Sequence, residues 1–171
     1  LQVDLGSAQM IERWQSFGPL LRECPFPRTR NAGFRFYFDN PSYGFMDAGT
    51  LYAMLRTYKP KRYVEVGSGF SSACALDTAD RFLPDLSMTF IEPYPDLLLS
   101  LLSENDRRRA RIIGKPVQQV DLTVFDELEA DDFLFIDSTH VAKTGSDVCH
   151  ELFNVLPRLK RGVFIHFHDI F

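Results

Sequence analysis

The alternation of short apolar segments with amphipathic segments after residue 61 is the strongest constraint on how this chain can fold. Such an alternation, with short connections, is typical of βαβ units built around a parallel sheet. The short segments are mostly apolar, as expected for strands that helices cover on both faces. We predict five strands, at residues 63–66, 88–91, 111–113, 133–136 and 163–167. The predicted fold is therefore α/β, with a doubly wound, mostly parallel sheet flanked by helices.

The segments between the predicted strands carry apolar residues at helical spacing. The last one is the clearest, because its apolar residues follow the pattern i, i+4, i+7, i+8 and i+11. They are Val148, Leu152, Val155, Leu156 and Leu159. Gly162 follows, where the chain turns into the fifth predicted strand. We therefore predict that these residues form one face of a helix.

The chain before about residue 60 has a different texture, rich in aromatic residues, Pro and Gly. Ser7 can cap a short helix there, and Asp47 can cap the next helix. Apolar and polar residues alternate at residues 34–38, which predicts a short strand or an aromatic lid segment. The aromatic residues of this region either line a substrate mouth or form the core of a small cap; they are Phe34, Phe36, Tyr37, Phe38, Tyr43 and Phe45. We assign residues 1–46 to an N-terminal helical and aromatic cap or lid, and residues 47–171 to the sheet domain.

Charge and cysteine content restrict the expected partners. Nineteen Lys and Arg against 23 Asp and Glu leave a net charge of −4, so no overall positive field attracts nucleic acid or an anionic membrane. The apolar runs are far shorter than the roughly 20 residues that span a bilayer. Cys24, Cys74 and Cys149 form no CxxC pair, which argues against a disulfide framework or a thiolate zinc site and predicts a cytoplasmic protein. A small molecule is therefore the expected partner.

A glycine-rich turn follows the first predicted strand and precedes a helix, in the run Glu65-Val66-Gly67-Ser68-Gly69. Glycine lets the backbone approach a ligand closely, and the new helix offers free N–H groups and a positive dipole end to an anionic group. Ser71 or Ser72 can cap that helix and contact the same ligand. Because position 72 is Ser, a full GxGxxG is absent, and the loop suits a ligand without a pyrophosphate. The alternative interpretation is a plain turn.

An acidic residue, Glu92, ends the second predicted strand. A carboxylate in that place can accept hydrogen bonds from both hydroxyls of a ribose. The alternative is a solvated loop carboxylate. Together with the glycine turn, Glu92 favours a nucleotide-like cofactor at the carboxyl edge of the sheet.

The fourth and fifth predicted strands end in residues that can bind a metal or transfer a proton. Asp137 and His140 follow the fourth strand, and His168 and Asp169 follow the fifth. If these strands are neighbours, Asp137, His168 and Asp169 converge into a three-ligand set for a divalent cation, with open positions for water and substrate. His140 is then either a catalytic or ligand residue or a structural one. Asp137 can alternatively cap the next turn, and His166 is predicted to be a core histidine.

The glycine turn and Glu92 resemble the first motif and the second acidic residue of class I S-adenosylmethionine (SAM)-dependent methyltransferases, over roughly residues 45–171. The resemblance implies a Rossmann-like fold in which the loop at residues 65–69 holds the amino-acid end of SAM and Glu92 holds its ribose. It also implies an adenine contact after the third strand, for which the candidates are Gln118, Gln119 and Asp121. The candidate cofactor-binding residues are then Glu65, Gly67, Ser68, Gly69, Ser71, Ser72, Glu92 and Asp137. Since the resembled fold continues through further strands, the C-terminal strands are expected to be missing from this chain.

The residues after strands four and five resemble the metal-dependent O-methyltransferase branch of that fold, which includes macrocin-type sugar methyltransferases and cephalosporin hydroxylase-like proteins. In that branch an Asp after strand four and an acidic or amide pair after strand five bind a cation, and a nearby His can act as the base. Asp137 and Asp169 match the cation ligands, and His140 matches the base. His168 departs from the pattern, because an imidazole suits Mn, Fe or Zn better than Mg.

The function implied by this resemblance is SAM-dependent O-methylation of a small hydroxylated molecule, such as a sugar or a secondary metabolite, with help from a divalent cation (Mg, Mn or another). The alternatives are a nicotinamide-dependent oxidoreductase on a similar sheet and a SAM- or metal-binding module without catalysis. An exposed fifth strand would invite pairing between copies, so a homo-oligomer or a longer natural chain is also expected.

Overall fold

A five-stranded parallel sheet forms the centre of the computed structural model, which describes residues 6–169. The strands are β1 (Arg62–Val66), β2 (Ser87–Ile91), β3 (Arg111–Ile113), β4 (Phe133–Ile136) and β5 (Phe164–Phe167). Their order across the sheet is β3-β2-β1-β4-β5, and every neighbouring pair is parallel. The predicted α/β sheet is confirmed, with each strand end within one residue of its expected place. Residues 1–5 of the predicted cap or lid and residues 170–171 of the predicted sheet domain lie outside the described part of the chain.

The order of the strands creates a switch point between β1 and β4. From β1 the chain runs outwards through β2 to β3, and it then returns to the other side of β1 with β4 and β5. The two connections that leave β1 and β4 therefore diverge and leave a crevice beyond the carboxyl ends of these strands. That crevice is where an open parallel sheet binds its ligands.

Helices cover both faces of the sheet, and three of them come before the first strand in the chain. They are α1 (Ser7–Ser16), α2 (Gly18–Arg22), α3 (Phe45–Tyr58), α4 (Phe70–Phe82), α5 (Asp96–Leu101), α6 (Glu104–Arg109), α7 (Thr123–Asp126) and α8 (Asp147–His150). Alternate strand residues enter opposite layers of the core, so Tyr63 and Phe133 pack in one cluster while Val64 and Leu134 pack in the other. Among residues 6–169, every helix is too short or too polar to cross a bilayer.

The segment after α8 departs from a regular α-helix. It continues as a π-helical turn, Glu151–Val155, and a 3₁₀ turn, Leu156–Arg158. The prediction of a single helix face over this stretch is therefore only partly right. Pro157 gives the reason, because proline has no N–H to continue the α-helical ladder and its ring crowds the carbonyl of the residue four positions earlier.

Residues 34–38 form no strand, and the aromatic rings of this segment pack against the rest of the protein. Phe36 is fully buried, with its ring centroid 5.0 Å from that of Phe26. The backbone N–H groups of Arg35 and Phe36 donate to Asp77 Oδ2, each at 2.8 Å. Because a carboxylate on α4 takes these N–H groups, the segment needs no neighbouring strand. The alternating pattern thus reflects a loop held on α4.

The Arg35 side chain attaches this loop to two helices. Its guanidinium donates to Asp77 at 2.7 Å, to Asp80 at 2.8 Å and to Asp106 at 2.6 and 2.9 Å. Asp77 and Asp106 are fully buried, and the Arg35 side chain is 18% exposed. Hydrogen bonds from Arg35 and Ser103 lower the pKa of Asp106 to about 2, against the opposing effect of burial. The N-terminal segment is therefore joined to the sheet domain by a buried ion network.

The first residues of two helices differ from the expectation. α3 begins at Phe45 after Gly44, and the predicted cap Asp47 stands at the third helical position. From there its Oδ2 accepts the Gly44 N–H at 3.1 Å, which is the return half of a capping box. Ser7 is the first residue of α1 rather than its cap, which is Gly6. Both predicted cap assignments are therefore wrong in position.

Candidate functional site

Gly67 lies where the ends of β1 and β4 come closest. Its φ is +82°, and a Cβ built on it would stand 1.9 Å from the carbonyl oxygen of Asp137. The backbone here is held from both sides, since Gly67 N–H donates to Ile91 O at 3.0 Å and Asp137 N–H donates to Val66 O at 2.8 Å. No residue with a side chain fits this position without displacing Asp137. The glycine turn is therefore a structural requirement of the crevice.

The turn directs Glu92 towards the crevice. Ser68 N–H donates to Glu92 Oε2 at 3.1 Å, and Tyr94 N–H donates to Glu92 Oε1 at 2.8 Å. Each carboxylate oxygen has a further lone pair that can accept a hydroxyl hydrogen. Glu92 is partly buried and lines two adjoining cavities. It is therefore an oriented acceptor pair and differs from a freely solvated loop carboxylate.

Glu65 lies beneath the turn. It is fully buried, and its Oε1 accepts hydrogen bonds from Ser71 Oγ at 2.5 Å and Ser72 Oγ at 2.9 Å. Burial raises the pKa of Glu65 to about 8, with the two serine hydroxyls acting in the opposite direction. Ser72 also accepts the Gly69 N–H at 3.1 Å, which caps α4. Glu65 and Ser72 support the turn from inside, and neither lines the two cavities beside Glu92.

Two cavities form one elongated crevice along the carboxyl edge of the sheet. The larger has a volume of about 580 Å³ and the smaller about 170 Å³. They share Gly67, Glu92 and Asp137. Ser68, Gly69 and Ser71, all predicted cofactor-binding residues, line the smaller one.

The structure separates the three candidates for the adenine contact. Gln118 lines the larger cavity, and its side-chain amide donates to Gly145 O at 3.2 Å. Gln119 is exposed and lines neither cavity. Asp121 accepts hydrogen bonds from the N–H and hydroxyl of Thr123 at 2.9 and 2.8 Å, which holds it on its own loop. Of the three residues, Gln118 alone reaches the crevice.

Two buried hydroxyl groups in the smaller cavity have no hydrogen-bond partner among residues 6–169. They belong to Ser68 and Tyr43. Burial raises the pKa of Tyr43 well above 10, so the phenol keeps its proton and can donate it in a hydrogen bond. The sequence indicated Tyr43 only as one aromatic residue of the N-terminal segment, because its contact with the turn depends on folding across 25 positions. Both hydroxyls are available to a ligand.

The three predicted metal ligands lie together at the ends of β4 and β5. Asp137, His168 and Asp169 each offer one ligand atom, and these atoms are all within 4.8 Å of one another. His168 Nδ1 is 3.2 Å from Asp137 Oδ1 and 3.6 Å from Asp169 Oδ2. The convergence depends on β4 and β5 being neighbours, and this expectation is confirmed.

The chemistry of these donors fits a divalent cation. Two carboxylates and one imidazole form a mixed oxygen and nitrogen set that suits Mn, Fe or Zn. The buried Nε2 of His168 has no hydrogen-bond partner in the described part of the chain, and Asp47 Oδ1 stands 3.6 Å away. Tyr43 packs on the same imidazole at 5.2 Å between ring centroids. Three protein ligands would leave coordination positions open for water and substrate.

His140 stands at the edge of this cluster. Its Nε2 is 3.2 Å from Asp137 Oδ1 and 4.0 Å from Asp169 Oδ2, and its side chain is 38% exposed. Its φ of +61° lies in the left-handed region, which is uncommon for a residue with a side chain. His166, by contrast, packs on the ring of Phe135 at 4.7 Å, and burial lowers its pKa to about 4. Of these two histidines, His140 is therefore the one that borders the Asp137 and Asp169 carboxylates.

Comparisons with known proteins identify the family to which this chain belongs. The profile of a family described as "Methyltransferase domain" matches residues 64–170. An uncharacterized protein of Archaeoglobus fulgidus is 34% identical over 134 residues, which cover 75% of this chain and 59% of that protein. The chain thus spans about three-fifths of the length of this relative.

Two solved structures share the fold at low sequence identity. The SAH-bound methyltransferase PaMTH1 of Podospora anserina has a TM-score of 0.50 and 16% identity, covering 96% of this chain and 70% of its own. The O-methyltransferase TomG of Streptomyces achromogenes, involved in tomaymycin synthesis and solved with SAM, has a TM-score of 0.53 and 19% identity, covering 90% of this chain and 63% of its own. With the family match, these similarities place the chain in the methyltransferase-domain family, with the Rossmann-like fold of the class I SAM-dependent methyltransferases.

Proposed function

We propose that the protein is a SAM-dependent O-methyltransferase that acts on a small hydroxylated metabolite. The observation that carries this proposal is the crevice at the switch point, where Glu92 is held by two backbone N–H groups next to the glycine turn. A carboxylate held in this way suits a ribose, and the turn lacks the third glycine of a pyrophosphate-binding GxGxxG, because position 72 is Ser. This counts against a nicotinamide cofactor, which was the main alternative.

The smaller cavity suits the amino-acid end of SAM. The Ser68 and Tyr43 hydroxyls can donate to the SAM carboxylate, and they have no other partner among residues 6–169. The N-terminus of the 13-residue helix α4 adds a favourable dipole. Glu92 would then accept from the ribose hydroxyls, and Gln118 would lie near the adenine in the larger cavity. The crevice accounts in this way for each part of the cofactor.

Asp137, His168 and Asp169 would hold a divalent cation beside this crevice. When bound, the cation would act as a Lewis acid that lowers the pKa of the acceptor hydroxyl. His140 would accept the hydroxyl proton, and its position at the edge of the cluster supports this role, with Nε2 at 3.2 Å from Asp137 Oδ1 and 4.0 Å from Asp169 Oδ2. In the transfer, the acceptor oxygen forms a bond to the methyl carbon, the bond from that carbon to the sulfonium sulfur breaks, and S-adenosylhomocysteine (SAH) leaves. The protein's main contribution is to align the acceptor oxygen and the methyl group.

Calorimetric titration of the protein with SAM, SAH and NADH tests the cofactor. We expect SAM and SAH to bind and NADH to produce no measurable heat of binding. Glu92→Ala should lower the affinity for SAH at least about tenfold, since two hydrogen bonds from the ribose hydroxyls are lost. Glu104→Gln, an exposed carboxylate on α6, serves as the control. NADH binding in preference to SAH would overturn the proposal. Binding of SAM without methyl transfer to any hydroxylated compound in a broad pool would identify a non-catalytic module instead.

Thermal unfolding with added Mn²⁺ tests the cation site. We expect Mn²⁺ to raise the unfolding temperature of the wild-type protein, since a ligand that binds only the folded state stabilises it. Asp169→Asn should reduce this increase, whereas Asp85→Asn, an exposed residue between α4 and β2, should retain it. An equal increase in all three proteins would count against this site.

A further inference from the structure

A third cavity, of about 350 Å³, borders the metal cluster but is lined by a different set of residues. It shares Ser138 with the larger cavity of the crevice and no residue with the smaller one. Its lining includes His140, His168 and Asp169. A molecule bound there would therefore face the proposed base and two of the proposed cation ligands without occupying the place of SAM.

The walls of the third cavity are largely apolar. The apolar residues that line it are Ile136, Val148, Leu152 and Phe167. Ile136 and Phe167 come from the ends of β4 and β5, and the other two from the helical segment after Ser146. Such a lining suits the apolar body of a small organic molecule, and a few polar groups are enough to orient it.

Ser138 and Glu151 are the polar residues of this cavity that neither the proposed base nor the proposed metal set includes. Glu151 is 1% exposed, and its Oε2 accepts a hydrogen bond from Ser138 Oγ at 3.0 Å. Its Oε1 is buried and has no hydrogen-bond partner among residues 6–169. A buried polar atom without a partner is costly, and because Glu151 lines this cavity, a ligand group bound there is the partner that we expect for it.

The backbone gives Glu151 a defined place. Ser146 caps α8 by accepting the Cys149 N–H at 3.2 Å, and Glu151 is the first residue of the π-helical turn that follows. π-Helical turns inside α-helices are frequent at functional sites. Here the turn lies between the capped helix and Pro157, and Glu151 is held against the loop that follows β4.

We propose that the third cavity is the acceptor subsite and that Glu151 Oε1 hydrogen-bonds a neutral hydroxyl group of the acceptor. The inference rests on the proposed function, since it names the binding place of the methyl acceptor. It assigns the acceptor to neutral molecules that carry a hydroxyl on an apolar body. An ammonium group is disfavoured, because it would need an ionised carboxylate as its partner. Burial raises the pKa of Glu151 to about 7, and the neighbouring Ile136, Leu152 and Phe167 offer no compensating charge to the ionised form.

The test uses three probes with the same apolar body: 2-phenylethanol, propylbenzene and 2-phenylethylamine. Binding to the SAH-saturated protein is followed by the methyl NMR signals of Val148 and Leu152, with the buried Leu98 as a remote reference. The variants are Glu151→Gln, which keeps a neutral hydrogen-bonding group, and Glu151→Leu, which removes it. Glu104→Gln, the same change at an exposed position, is the control.

We expect 2-phenylethanol to bind the wild-type protein and Glu151→Gln within about threefold, and to bind Glu151→Leu about tenfold more weakly, as the loss of one buried hydrogen bond predicts. Propylbenzene should bind Glu151→Leu no more weakly than the wild type. Equal weakening of both neutral probes in Glu151→Leu would overturn the proposal. The proposal would also be overturned if 2-phenylethylamine bound the wild-type protein most tightly of the three probes and lost this binding in Glu151→Gln. A third contrary result would be that no probe shifts the methyl signals of Val148 and Leu152.

Two features of the design separate the possible failures. SAH is titrated into every variant, and a protein that never binds SAH refutes the proposed function, while the probe results on the SAH-free protein still decide the role of Glu151. If Glu151→Leu does not fold, the affinity of Glu151→Gln for 2-phenylethanol, compared with that of the wild type, decides whether Glu151 hydrogen-bonds the hydroxyl group. A hydroxyl probe that Glu151→Gln binds more than about tenfold more weakly would then reject the neutral hydrogen bond.

Discussion

Substitution of Gly67 by alanine is the most direct test of the crevice. The added Cβ would stand 1.9 Å from Asp137 O, far inside any non-bonded contact, and the backbone φ of +82° is unfavourable for alanine. The ends of β1 and β4 would have to separate by more than 1 Å to reach an ordinary contact distance of about 3.5 Å. Asp137 belongs to both the crevice and the metal cluster, so its displacement should affect both stability and ligand binding.

The expected loss of stability has two parts. A left-handed backbone costs a residue with a side chain about 1–2 kcal/mol, and forcing an extra carbon into a packed place costs about 1–3 kcal/mol more. Gly33 provides the matched control, because its φ is +111° and a Cβ there would meet nothing within 4 Å. Gly33→Ala should therefore show the backbone cost alone. The difference between the two variants isolates the contact with Asp137.

Differential scanning calorimetry measures this difference. For a chain of this size, 1 kcal/mol corresponds to about 2–4 °C, so Gly67→Ala should unfold about 2–12 °C below Gly33→Ala. Titration with SAH should also show an affinity at least about tenfold lower for Gly67→Ala, which is 1.4 kcal/mol of binding free energy. Equal unfolding temperatures and equal SAH affinities for the two variants would refute the close approach of Gly67 to Asp137.

Substitutions of His140, Arg35 and Glu65 test the proposed base, the buried ion network and the buried carboxyl group. His140→Ala should lower methyl transfer to an acceptor found in the pool at least about 100-fold, as for loss of a general base, with SAH affinity retained; unchanged turnover would reject the base. Arg35→Met removes the close cation from the buried Asp77 and Asp106 and leaves them only Arg81 at 3.9 Å and Arg109 at 3.6 Å, so urea unfolding should show a loss of about 3 kcal/mol. A loss below 1 kcal/mol would mean that the network contributes little. Burial raises the folded-state pKa of Glu65 from 4.5 to about 8, so its contribution to stability is complete below pH 4.5 and disappears as the pH rises through 8. Glu65→Gln should remove this dependence and unfold at higher urea than the wild type at pH 9; parallel pH profiles would contradict it.

Much of the candidate site could be predicted because a parallel sheet places the carboxyl ends of its strands at one edge. The apolar strands were visible from local composition, so Glu92, Asp137, His168 and Asp169 could be assigned to that edge. Their convergence required only that β4 and β5 be neighbours, as they are. The roles of these residues stay predictions until ligands are tested.

Other features depend on contacts between distant parts of the chain. Alternation at residues 34–38 predicted a possible strand, but the N–H groups of Arg35 and Phe36 bind Asp77, about 40 positions later, and a loop results. Tyr43 and Ser68 line one cavity, and their buried hydroxyl groups have no hydrogen-bond partner among residues 6–169. Neither contact leaves a periodic signal in the sequence.

Local sequence patterns indicate the order of the strands along the chain, the glycine turn after β1 and the kinds of side chain at each strand end. Periodicity and turn residues carry that information, because they reflect interactions within a few positions. Packing between distant elements sets which groups are buried without partners among residues 6–169, including the Tyr43 hydroxyl and Glu151 Oε1. Burial and hydrogen bonding depend on every element packed around an atom, and only the folded chain brings those elements together.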